Sequence, residues 1–227
     1  MTTHDEEYGS LLRHSLMATG SCIVAMVICY FRVDRGVAFF VYNHHINKIE
    51  VFRWLTYPPP EVQNWAALLL TMLIVRRAWG PFLRWQKVLL VACISLIVAD
   101  DFRISLGDVF GRYWPQTWTR NNPSLIGTGT YGFHPFQRGD DVGSFPSGHA
   151  ARILAFATVW LIAMPRSRTV QIVVIILSAS MLVSLVAMNY HFVSDVIAGS
   201  VLGALIAMYA THLARLKTPC EHPSQWQ

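Results

Sequence analysis

Two short stretches hold side chains whose types and spacing suit chemistry on an anion. Ser144-Phe145-Pro146-Ser147-Gly148-His149 gathers hydroxyls, backbone amides and an imidazole. Pro146 and Gly148 favour a turn. An apolar run begins at Ala150, so a helix starting there would aim its unpaired N–H groups and positive dipole end at that turn. A phosphate suits such a spot. Taken alone, Pro146 to His149 are better described as a proline-glycine turn whose Ser147 is an ordinary N-cap, so a second stretch has to decide. In Asn189-Tyr190-His191-Phe192-Val193-Ser194-Asp195, His191 and Asp195 are four apart. If a helix starts near Ser194, the Asp195 carboxylate reaches back to one ring nitrogen of His191 and fixes its tautomer. The other nitrogen is left to attack or to ligate.

The elements that position these groups are apolar helices. The chain has 227 residues, of which 53% are hydrophobic and only 14% charged, with a mean hydropathy of +0.38. That composition is too apolar for an ordinary soluble domain. It predicts an all-α, polytopic membrane protein, a single domain over 1–227 with six transmembrane helices near 15–31, 62–77, 82–99, 150–164, 170–188 and 196–213. Asp100-Asp101 should close the third span, leaving a long outer-face loop to Phe145, rich in Tyr and Trp suited to a headgroup belt. Ile46, Ile49 and Phe52 predict an interfacial helix before Pro58-Pro59-Pro60. Gly199, Gly203 and Ala207 form a small-residue stripe that lets a neighbouring helix come close.

Charge and cysteine usage narrow the function classes. The net charge of +5 is scattered, with no Lys/Arg block, which argues against nucleic-acid binding and favours an anionic lipid partner. Basic residues at 76, 77, 84, 87, 166, 168, 215 and 217 crowd short connections and the tail. That side should be cytoplasmic with both termini, so the two histidine stretches meet on the outer face. The acidic start, His4-Asp5-Glu6-Glu7, does not read as a secretory signal. Cys22, Cys29 and Cys93 lie in apolar runs and Cys220 in the polar tail, without disulfide or metal-knuckle spacing. His44-His45 are neighbours that point in different directions and have no third ligand nearby, so no metal is expected there.

The Pro-Ser-Gly-His turn paired with a later His-x-x-x-Asp resembles the type-2 phosphatidic acid phosphatase superfamily, which includes membrane lipid phosphatases, bacterial acid phosphatases and vanadium haloperoxidases. The likeness spans about residues 30 to 213. It implies that His191 attacks phosphorus to give a phosphohistidine, that Asp195 orients it, and that His149 protonates the leaving group. It implies phosphate binding by the amides of Ser147 and Gly148, without metal or cofactor. Gly111-Arg112-Tyr113-Trp114-Pro115 is similar to the superfamily's first motif, with Arg112 as a phosphate-binding candidate. Gly107 stands where that motif has a lysine, Trp114 where it has an arginine before proline, and Leu185 where the third motif has another arginine.

Arg152 lies three positions after His149 on the same helical face, just inside an apolar span, where a charge is costly unless paired or used. It is expected to join Arg112 in supplying the missing charge. The resemblance implies hydrolysis of a phosphomonoester or pyrophosphate on a lipid head group, in a bacterial inner membrane with the site facing the periplasm. A phosphotransferase using the same histidines, or an inactive lipid-binding or transport protein, is the alternative. Phosphatidate, phosphatidylglycerophosphate, polyprenyl pyrophosphate and lipid A phosphate all fit as substrate, and oligomeric state is not legible.

Overall fold

The structure, a computed structural model, describes residues 3–118, 121–137 and 142–216, with the backbone alone described at 3–5 and 7. Arg138, Asp141 and Cys220 lie outside the described residues. Among the described residues nine α-helices run in order: α1 Thr3–Arg32, α2 Asp34–Asn43, α3 Glu50–Leu55, α4 Pro58–Arg77, α5 Arg84–Phe110, α6 Leu125–Thr128, α7 Gly148–Ala163, α8 Arg168–Ala187 and α9 Val193–Leu213. A 3₁₀ turn, Ile46–Lys48, joins α2 to α3. Two isolated bridges, Arg112 with Phe133 and Trp114 with Ser124, fold the long loop on itself.

Local chemistry sets the helix ends. Ser147 and Ser167 cap α7 and α8, each hydroxyl accepting the backbone N–H three residues on, from Ala150 and Val170 at 3.4 Å. Pro58 opens α4, where its missing N–H costs nothing. Asp195, in the first turn of α9, accepts the Phe192 N–H at 3.0 Å, which is the reaching-back half of a capping box.

A helix stands at each of the six expected spans. Among the described residues, three helices are long and apolar enough to cross a membrane: the Tyr8–Arg32 part of α1, α8 and α9. Helix α7 is apolar but shorter, while α4 is diluted by Gln63, Asn64, Arg76 and Arg77, and α5 by Asp100, Asp101 and Arg103. The helix of the third span does not stop at Asp100-Asp101, because α5 runs on to Phe110. Acidic residues mark where a helix leaves an apolar layer, and the helix itself continues wherever its backbone bonds stay satisfied. Asp100 is also paired, as described below. The expected amphipathic segment before Pro58 is three short elements, with α2 kept close to α9 and α3 packed on α8.

Helices α7 and α9 form the tightest pair. A Cβ on Gly199 would come within 2.3 Å of the Ser147 carbonyl oxygen, and one on Gly203 within 2.1 Å of the Ala151 carbonyl oxygen. The glycine stripe therefore lets the backbones meet. Ala207 continues it into a cluster with Val88, Ala92, Val159 and Ala163. This contact brings the start of α7 against the start of α9, and with them His149 and His191.

Candidate active site

Each histidine is held by a local device. His149 sits in the first turn of α7, two residues after the Ser147 cap. His191 sits in the turn between α8 and α9, where Asn189 takes a left-handed backbone conformation (φ 53°) and its side-chain amide donates to the Ala38 carbonyl at 3.1 Å. Asn tolerates that conformation better than most residues. The two rings stand 6.2 Å apart, centroid to centroid. Both line one cavity of about 620 Å³, together with Gly148, Arg152, Arg103, Trp114, Trp118, Tyr57 and Tyr190.

The orientation of His191 differs from the expectation. Its Nδ1 lies 2.9 Å from the Ser144 carbonyl oxygen and 4.0 Å from Asp195 Oδ2. The acceptor that selects the Nδ1–H tautomer is thus a backbone carbonyl, and Nε2 is left to face the cavity. Asp195 acts one bond further back, accepting the Ser144 hydroxyl at 2.6 Å. His191 is only 4% exposed. Burial, then the nearby His149, hold its pKa well below the ordinary histidine value, against an upward pull from the Ser144 carbonyl. The ring is therefore neutral at neutral pH, the form a nucleophile needs.

Ser147 is fully buried, and its N–H already donates to the Asp195 backbone carbonyl at 3.0 Å. Its hydroxyl caps α7. Of the two expected amide donors, only Gly148 borders the cavity. Ser147 ties α7 to α9 rather than facing a ligand.

Arg112 is 0% exposed and does not line the cavity. Its Nη2 donates to Asp34 at 2.8 Å, its Nη1 donates to Ser194 at 2.7 Å, and Nη1 also pairs with Asp195. Phe192 stacks over the guanidinium with its ring centre 4.2 Å from Cζ, and Phe133 at 4.9 Å. Burial alone would lower the Arg112 pKa, but Asp195 and Asp34 outweigh it and raise it. The expected phosphate ligand is thus a buried tie among the start of α2, the long loop and α9. A buried arginine needs such partners, since unpaired it would cost several kcal/mol.

Arg152 does border the cavity. Its Nε and Nη2 reach Asp100 Oδ1 at 3.0 and 2.8 Å.

Three functional residues escaped the sequence reading. Asp34 is the partner of Arg112 and of the Ser194 N–H, at 3.0 Å. Ser144 carries the acceptor of His191. Arg103 lines the cavity with the histidines, and it had a legible signal. It lies four residues before Gly107 on the same helical face, one turn from the position that lacks a lysine.

These features define a polytopic helical membrane protein with two histidines on the wall of one cavity, where the starts of α7 and α9 meet. Residues 87–219, more than half of the chain, match the PAP2 superfamily, and the chain belongs to it. A solved structure described as the first transmembrane PAP2 type phosphatidylglycerolphosphate phosphatase, from Bacillus subtilis, superposes with a TM-score of 0.52 at 15% identity. The superposition covers 86% of this chain and 94% of that one, so the two share a fold. No curated protein matches the chain.

Proposed function

We propose that the chain, acting as one domain, is a membrane lipid phosphatase that hydrolyses a phosphomonoester or pyrophosphate on a lipid head group. The observation that carries this reading is the pair of histidines facing one cavity, His191 neutral and oriented through Nδ1, His149 across from it. Membership of the PAP2 superfamily supports it.

In this reading the Nε2 lone pair of His191 attacks phosphorus and the bond to the lipid oxygen breaks. His149 donates its proton to that oxygen. The phosphohistidine then reacts with water, which His149 deprotonates, and phosphate leaves with His191 restored. The Gly148 N–H at the start of α7 and the guanidinium of Arg152 meet the charge on the equatorial oxygens. Asp195 positions His191 through Ser144. Trp114, Trp118, Tyr57 and Tyr190 give the cavity an aromatic wall suited to a head group at the membrane surface. The arrangement of basic connections favours a site on the outer face of a bacterial inner membrane.

The test is phosphate release by the purified protein in detergent from phosphatidate, phosphatidylglycerophosphate, polyprenyl pyrophosphate and lipid A phosphate. Release from one of them, with a transient acid-labile label lost in His191→Ala, is the expected result. Transfer of the phosphoryl group to an added lipid or sugar hydroxyl without release would replace hydrolysis with phosphotransfer. No turnover of any kind would leave a lipid-binding protein.

A further inference from the structure

The geometry points to Arg103 as a phosphoryl-binding residue, forming with Arg152 a two-guanidinium clamp for the terminal phosphate dianion of a phosphomonoester. The inference rests on the phosphatase reading for its kinetic test, but not for its binding test.

Four observations lead to it. First, Arg103 comes from α5 and Arg152 from α7, yet both border the cavity that holds His149 and His191. Second, one buried carboxylate backs both. Asp100 Oδ1 accepts from Arg103 Nη2 at 3.2 Å and from Arg152 Nε at 3.0 Å, while its Oδ2 accepts from Gln63 at 2.6 Å. Asp100 itself is not part of the cavity wall, so it holds the two guanidiniums from behind and leaves their remaining N–H groups to the cavity. Two cations against one anion leave a net positive charge, which suits a dianion.

Third, Arg103 Nε is buried and makes no hydrogen bond among the described residues. A buried guanidinium N–H without an acceptor is costly unless a ligand supplies one. Fourth, Arg103 occupies the space that a side chain at 148 would take: a Cβ on Gly148 would lie 2.8 Å from Arg103 Nε. The guanidinium therefore lies against Gly148, which borders the same cavity. In addition, Arg103 is one of the charges that His191 feels.

A purely structural role would need only the contact with Asp100, at 3.2 Å the longest of the three that this carboxylate makes to Arg103, Arg152 and Gln63. The placement of Nε beside Gly148 is not explained by it.

The experiment measures binding and turnover separately on the full-length protein in detergent. Orthovanadate, and more weakly inorganic phosphate, should raise the melting temperature of the wild-type protein. Arg103→Gln should melt normally without ligand, bind orthovanadate at least tenfold more weakly, and lose about 10²-fold in kcat/KM on the lipid phosphate, the scale of losing one charge-stabilising contact. Arg103→Lys should recover part of both, since an ammonium keeps the charge but not the paired contacts of the fork. Helical side chains lean back toward the N-terminus, so a lysine at 107 would lie over Arg103's place, and turnover regained by Gly107→Lys in the Arg103→Gln background supports the assignment. A folded Arg103→Gln protein whose vanadate affinity and kcat/KM stay within about twofold of wild type overturns it. Wild-type protein that binds vanadate in an Arg103-dependent way but releases no phosphate from any lipid would sink the phosphatase reading and leave the clamp standing.

Discussion

The imidazole of His191 takes its orientation from a backbone oxygen: Nδ1 is 2.9 Å from the Ser144 carbonyl, whereas Asp195, four residues along, is 4.0 Å from it and accepts the Ser144 hydroxyl at 2.6 Å. His191→Ala should therefore abolish turnover, while Ser144→Ala keeps the carbonyl and loses about tenfold in kcat, roughly 1.4 kcal/mol of positioning. Asp195→Asn should fall between the two, because the amide keeps one acceptor oxygen, enough for Arg112 at Oδ1, while its NH2 cannot accept from Phe192 and Ser144 as Oδ2 does. Single-turnover rates measure this order. A Ser144→Ala loss equal to that of His191→Ala would count against an indirect role for the carboxylate.

If His149 is the proton donor, its loss should depend on the leaving group. His149→Ala should cost 10²-fold or more with a lipid alkoxide leaving group, within the usual range of general acid catalysis. It should cost much less with an aryl phosphate, whose phenolate needs little protonation. Parallel kinetics on the two substrates decide it, and equal losses would remove His149 from the acid role.

Burial and His149 push the His191 pKa below its ordinary value, and this sets a pH dependence for both activity and stability. The acid limb of kcat/KM assigned to His191 should fall below pH 6.5, the unperturbed histidine value. For stability, the unfolded chain binds a proton at His191 more readily than the folded one, so this group destabilises the fold as pH falls through the unfolded value. That loss continues down to the lower folded pKa and is absent above about pH 7. Melting in His191→Gln should be less sensitive to pH across that window than in wild type.

Arg112 and the residues of the clamp should fail in different ways. Arg112→Met leaves Asp34 and Asp195 as buried carboxylates without their cation, which should destabilise the fold by about 3–5 kcal/mol. Arg152→Gln, at a partly exposed position, should instead leave melting nearly unchanged and lower kcat/KM. Thermal denaturation in detergent beside steady-state kinetics separates the two. An Arg112→Met protein of normal stability would mean that the buried tie is not what holds α2, the loop and α9 together.

Sidedness is tested by single cysteines in a cysteine-free background. Pro135→Cys, in the exposed part of the long loop, should react with a membrane-impermeant thiol reagent in intact cells, whereas Arg166→Cys between α7 and α8 should not. The opposite labelling would move the cavity to the cytoplasmic face and change the lipid pool available to it.

The local pattern of this chain carried a good part of the answer. Apolar runs announce the helices, Ser147-Gly148-His149 announces the start of α7, and the four-residue spacing of His191 and Asp195 announces the start of α9, because capping and i, i+4 relations are settled within one or two helical turns. The stripe of Gly199, Gly203 and Ala207 likewise marks a face for close packing. What only the tertiary structure decided are the relations that span the chain or use the backbone. Arg112 reads as a phosphate ligand from its motif, yet its partners Asp34 and Asp195 lie about eighty residues away on either side, 78 and 83, and no spacing rule reports them. The Ser144 carbonyl has no side-chain identity to read. Arg103 reaches Gly148 only because α5 continues past Asp100-Asp101 and packs on α7. The physical reason is common to all three: covalent neighbours fix helix ends and faces, whereas the desolvation of a charge, and hence what it must pair with, is set by the packing of elements distant in the chain.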